Sequence, residues 1–276
     1  MKQGIFLTIL LTLISNIGFS QISYKSPLII EKYQTENGEK LRFKSEILNE
    51  NKEIYIGLPE KFSDSIEHPL IVILEGEVLF ESFAPITRLM AQLDEIPECI
   101  LVGIPFYDKH LDYAPKIISH PESGNADKIL KFYRFELFPI LDSLYNCNDE
   151  RIIWAHSALG GLFCTYLLLG PDSQFTGILS SSPNLRWMHE YIEKDNVFTE
   201  VSKKGKLFYY LTFGSNEGEN YMGEMYQKVQ EFKEILQNEA PDNLLWKYQL
   251  NENNNHFTNA IETYIDGLIL YFENMR

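Results

Sequence analysis

Five stretches of this chain are apolar almost without interruption, and that pattern leaves few folds open. Residues 69–74, 99–104, 152–154, 177–179 and 207–213 contain no charged side chain. A strand wetted on one side alternates apolar and polar residues, whereas one buried on both faces reads as a continuous apolar run. Helical patterns fill the gaps, at 83–93, 126–144, 159–169, 221–236 and 257–272. Strand alternating with helix predicts an α/β fold, a mostly parallel central sheet with helices on both faces. Ahead of it, Leu41-Arg42-Phe43-Lys44 and residues 53–58 alternate. Turn signals at Glu36-Asn37-Gly38 and Asn49-Glu50-Asn51 punctuate them, which predicts an antiparallel N-terminal entry to the sheet.

The first twenty residues read as a secretory signal, with Lys2, an apolar stretch from Ile5 to Ile14 and a small, polar exit before Gln21. The apolar stretch is too short for a transmembrane span. The expectation is an exported, periplasmic protein with no membrane attachment after cleavage and one domain over residues 21–276, since no repeat or linker divides them. A formal net charge of −15 repels phosphate backbones and anionic lipid, which argues against nucleic-acid and membrane-surface partners. Cys99, Cys147 and Cys164 have no metal-ligand spacing, and the first and last sit in apolar runs as small core residues.

Ligand sites in parallel sheets lie beyond the carboxyl ends of the strands, here the loops after Leu74, Ile104, Trp154, Leu179 and Phe213. In residues 151–163 an apolar stretch passes through Ala155-His156-Ser157-Ala158 into a helix led by Gly160-Gly161. That is the layout of a nucleophile elbow, where a sharp strand-to-helix turn exposes a serine hydroxyl. An acidic turn, residues 213–219, and a polar loop, Asn253-Asn254-Asn255-His256, follow. Serine, acid and histidine in that order match the triad order of α/β-hydrolases. The chemistry needs all three: imidazole takes the serine proton, and a buried carboxylate holds the imidazole in the right tautomer. Glu217 and Glu219 compete as the acid, Glu217 lying nearer the strand end.

Several segments together resemble the putative-esterase family, secreted enzymes related to enterochelin esterase and esterase D. They are Tyr55-Ile56-Gly57-Leu58-Pro59, Leu74-Glu75-Gly76-Glu77 in place of Leu-Asp-Gly-Asp, Val102-Gly103-Ile104-Pro105, Glu136-Leu137-Phe138-Pro139 and Ser182-Pro183-Asn184-Leu185-Arg186-Trp187. The resemblance implies the α/β-hydrolase fold, a cofactor-free serine esterase with an acyl-enzyme, a small-molecule ester substrate and His256 as the catalytic histidine.

The chain departs from the family at the elbow, whose pattern is Gly-His-Ser-X-Gly-Gly-Leu-Phe. Counted forward from Arg151, Ser157 is the nucleophile; counted back from Gly160-Gly161-Leu162-Phe163, Ala158 takes its place and the protein is a non-catalytic binder. The forward register is preferred and predicts a one-residue bulge at the helix start. Backbone N–H groups of Ala158 and of Glu77 in the Gly76-Glu77 turn are the expected oxyanion donors. Phe106, Tyr107 and Trp187 are candidate pocket walls, and His110 lies beside the cleft. An acyltransferase would use the same residues.

Overall fold

The computed structural model describes residues 27–105, 113–117, 120–171, 174–217 and 221–276. The signal segment 1–20, Phe106, Tyr107, His110 and Glu219 lie outside the described residues.

Among the described residues, nine strands form one sheet in the order β1-β2-β3-β5-β4-β6-β7-β8-β9. β1 (Leu28–Thr35), β2 (Gly38–Ser45) and β3 (Glu50–Gly57) make an antiparallel meander, and β3 pairs antiparallel with β5 (Ile100–Ile104). From β5 onward every pairing is parallel, through β4 (His68–Leu74), β6 (Cys147–Ala155), β7 (Gly177–Ser181), β8 (Leu207–Gly214) and β9 (Leu244–Asn251). This is the mixed sheet of the α/β-hydrolase type, antiparallel at its start.

The continuous apolar runs follow from burial on two sides. In β4, Leu70, Val72 and Leu74 enter one core and Ile71 and Ile73 the other, all at most 1 % exposed. Helices α1 (Gly76–Gln92) and α7 (His256–Met275) cover the second face, through Phe80, Phe83, Tyr264 and Leu268. The first face is covered by α2 (Ala126–Phe132), α3 (Phe138–Tyr145), α4 (Ser157–Leu169) and α6 (Tyr221–Glu239). A short helix α5 (His189–Ile192) lies between β7 and β8. Cys99 and Cys164 are buried, and all three cysteines are free thiols.

Both sheet edges differ from the sequence reading. β1 is exposed along nearly its whole length and β9 is only half covered, so neither carries the apolar signature of an inner strand. Helix α1 starts seven residues before the expected 83–93 pattern. Its first turn is held by the Val78 and Leu79 N–H groups donating to the Glu75 carbonyl, a terminus that apolar periodicity cannot reveal. The expected helix at 126–144 is divided by a π-helical turn, Tyr133–Leu137, ahead of Pro139.

After β4, the chain places β5 on one side and β6 on the other. That divergence is the switch point where a parallel sheet opens a crevice at its carboxyl end. Gly76 permits the close approach there: a Cβ on it would lie 2.5 Å from the Gly103 carbonyl carbon and 2.7 Å from the Ile104 amide nitrogen. Both are backbone atoms of β5 and cannot step aside. Gly76→Ala is therefore expected to cost about 1–3 kcal/mol by overpacking, read as a lowered midpoint in urea denaturation.

Candidate active site

The ends of β4, β6, β7 and β8 and the starts of α1, α4 and α7 converge on this crevice. Ser157 follows β6 and opens α4. His156 before it is extended (φ −117°, ψ 168°), whereas Ser157 has φ +70°. A non-glycine residue in left-handed backbone at a strand-to-helix turn is the strained geometry of a nucleophile elbow. The left-handed residue is thus Ser157, the one counted forward from Arg151. The predicted bulge is not found, because α4 runs without a break from the left-handed Ser157 to Leu169. The extra residue is instead absorbed by a changed contact. A Cβ on Gly160 would lie 3.2 Å from that of Ala155, so the small pair that closes the turn lies two before and three after the serine. Leu159, the bulky neighbour, packs into the core. Gly161 lets α4 approach the end of β7, since a Cβ there would meet the Ser181 carbonyl at 2.8 Å.

His256 is the first residue of α7 and is fixed by a capping box. The Asn255 side chain accepts from the Phe257 and Thr258 N–H groups, and the Thr258 hydroxyl accepts from the Asn255 N–H. Its Nδ1 donates to Glu217 Oε2 at 2.8 Å. Because a carboxylate can only accept, Nδ1 carries the proton and a neutral ring keeps its Nε2 lone pair, the tautomer a general base requires. Glu217 sits in the turn after β8 with its side chain 1 % exposed, against 21 % for His256. Its Oε1 accepts from the Gly214 N–H at 2.7 Å and from the Ser182 hydroxyl at 2.5 Å, so the buried carboxylate is well satisfied.

His156 Nε2 donates to the His256 carbonyl at 3.1 Å, and the two rings lie 4.5 Å apart. This contact ties residue 256 to the elbow. Burial, reinforced by the neighbouring His256, pushes the His156 imidazole down to about 4, so near neutrality it is an uncharged strut.

The Ser157 hydroxyl donates to Glu75 Oε1 at 3.2 Å. Among the described residues no hydrogen bond joins Ser157 to His256, so the serine stands beside the histidine–glutamate pair with its hydroxyl turned to Glu75. Glu75 follows β4 and precedes α1 in left-handed backbone, φ +59°. Burial raises its carboxyl; the Ser157 hydrogen bond opposes that shift and the Glu77 charge adds to it.

Ala158 and Glu77 are each the second residue of a helix, α4 and α1. Their N–H groups belong to first turns, which carry the positive end of a helix dipole. The two helices start from neighbouring strands, β6 and β4. Trp187, in the short helical turn Leu185–Met188, is half-buried and pairs with His120 at 4.7 Å. No hydrogen bond or ring contact joins it to Ser157, His256 or Glu217 among the described residues. No group of His, Cys, Asp and Glu able to hold a metal occurs among them, and no described helix is long and apolar enough to cross a membrane.

Sequence reasoning missed Glu75 and Ser182 as neighbours of the site. Both stand in quoted motifs, at strand ends that face the crevice. That position was the available signal; their partners were not readable.

Three comparisons bear on this arrangement. The chain matches the family model described as Putative esterase over residues 45–268. A curated relative, the uncharacterized protein YbbA of Bacillus subtilis (strain 168), is 23 % identical over 202 residues, 68 % of this chain and 77 % of its own. Among solved structures, the chain is similar to the IroE-like serine hydrolase from Shewanella oneidensis (TM-score 0.74, 22 % identity, 89 % of this chain and 81 % of that one). It is also similar to the BES protein from Bacillus cereus (TM-score 0.71, 24 % identity, 88 % and 98 %). A third is the enterobactin esterase FES from Shigella flexneri (TM-score 0.63, 19 % identity, 88 % and 61 %).

Proposed function

We propose a serine mechanism for this chain, which belongs to the Putative esterase family and is therefore an esterase-type hydrolase of small-molecule esters. The observation that carries it is a hydrogen bond from His256 to the buried Glu217 carboxylate, beside a serine held in left-handed backbone at the strand-to-helix turn. In the resting protein Glu75 holds the Ser157 hydroxyl. On substrate binding the hydroxyl turns to His256 Nε2 and attacks the ester carbonyl while the imidazole takes its proton.

The tetrahedral oxyanion then faces the N–H groups of Ala158 and Glu77 at the two helix starts, where each aligned donor contributes about 3 kcal/mol. Collapse breaks the bond to the alkoxide, which leaves with the proton from imidazolium. Water, deprotonated by His256, hydrolyses the acyl-enzyme and regenerates Ser157. Glu217 orients the ring and stabilises its cationic form throughout. A Glu75 carboxylate 3.2 Å from the nucleophile oxygen repels negative charge beside the scissile bond, so the reading is of neutral esters. The protein is further proposed to act after export, on the strength of residues 1–20.

A fluorophosphonate probe tests this reading. It should form one adduct per chain, and the modified peptide should contain Ser157. A chain that stays unlabelled while hydrolysing esters would exclude the serine route.

A further inference from the structure

Behind Glu217 lies a fully buried set of polar side chains that the proposed chemistry does not use. Ser181, Ser182, Thr212, Asn259 and Thr263 are all 0 % exposed, and Asn251 is 1 % exposed. They come from the ends of β7, β8 and β9 and from the first two turns of α7. Burying so many polar groups is costly unless they are paired; Asn259 is the hub that pairs most of them, while Asn251 Oδ1 has no partner among the described residues. The Asn259 Nδ2 has two protons and three hydroxyl oxygens within reach, Ser182 the nearest at 2.7 Å, then Ser181 at 3.0 Å and Thr212 at 3.2 Å. Its Oδ1 accepts from Asn251 Nδ2 at 2.8 Å.

This arrangement orders the protons. A hydroxyl has a single proton. Since the Ser182 oxygen accepts from Asn259, its own proton is free for Glu217 Oε1, at 2.5 Å. The chain of donors runs Asn251, Asn259, Ser182, Glu217, and it meets His256 donating from the other side. The backbone supports the same placement: Ser182 has φ +50°, and its N–H is tied to the Thr212 carbonyl at 3.0 Å.

The geometry points to Ser182, oriented by Asn259, as a positioning residue that holds the Glu217 carboxylate in place and sets the basicity of His256. It rests on the triad reading given above. The Ser182 hydroxyl screens part of the negative charge that the imidazolium would otherwise feel. Among the described residues, the titratable groups facing His256 are Glu217, His156 and Glu75, with Glu77 beyond Glu75. Removing the Ser182 donor leaves more charge on Glu217, so the histidine should hold its proton to higher pH.

The test compares wild type with Ser182→Ala and Ser182→Gly. Glycine accepts a φ of +50° without strain and so separates loss of the hydroxyl from loss of the backbone turn. The His256 ring is titrated by NMR, and kcat and KM are measured on a neutral ester. In both variants the midpoint should rise by about half a unit or more and kcat should fall about tenfold, with KM within about twofold. An unmoved midpoint overturns the proposal, and so does a Ser182→Gly variant with wild-type kcat. A raised midpoint in a protein that hydrolyses no ester supports the positioning role and overturns only the serine-esterase reading.

Discussion

Ser157→Ala is expected to lower kcat on a neutral ester by about 10⁴- to 10⁶-fold, the range seen when a serine nucleophile is removed from a preorganised site. The remaining rate would come from the oxyanion donors and substrate binding alone. The loss should fall on kcat and leave KM nearly unchanged, because the hydroxyl contributes to the reaction coordinate and little to ground-state binding. Stability should change little, since Ser157 is only half-buried and its side-chain hydrogen bond among the described residues goes to a half-buried carboxylate. Steady-state kinetics with a denaturation curve on the same sample checks both statements. A variant retaining a tenth of the wild-type kcat would show that another group is the nucleophile.

Glu217→Gln should cost about 10⁴-fold in kcat, through the tautomer of His256. The Gly214 N–H and the Ser182 hydroxyl both donate to Oε1, so in the variant the amide oxygen takes that place. The amide NH₂ then falls where Oε2 now meets His256 Nδ1. Facing a donor, Nδ1 must give up its proton and accept, and the ring proton moves to Nε2. An imidazole protonated there cannot take the serine proton. NMR of the ring nitrogens would detect the exchange directly, alongside the fall in kcat. Unchanged tautomer and rate would mean that Glu217 is a structural carboxylate only.

Much of this architecture was legible in the residues. The apolar runs at 69–74 and 207–213 marked strands covered on both faces, and β4 and β8 occupy those places with every residue buried. Burial on two sides is a property of composition alone, so it survives without knowledge of neighbours. The edge strands β1 and β9 were not legible for the same reason. Their residues answer to solvent, β1 on both faces and β9 in part, and charges such as Glu31, Lys32 and Lys247 break the pattern. The start of α1 was missed because Glu75 caps it through its backbone carbonyl, without a side-chain cap of the kind that marks helix starts in a sequence.

The sequence by itself determined an α/β sheet and a short set of candidates at its strand ends: a serine, a histidine and two competing acids. Only the tertiary structure decided which atoms meet. It set Ser157 in the left-handed turn, turned its hydroxyl to a carboxylate 82 residues earlier in the chain, and brought Glu217 against His256 across 39. The reason is physical. Strand burial is written locally in each run of side chains, whereas these hydrogen bonds depend on the order in which distant strands pair. That order places the ends of β4, β6 and β8 on one rim and the start of α7 against them.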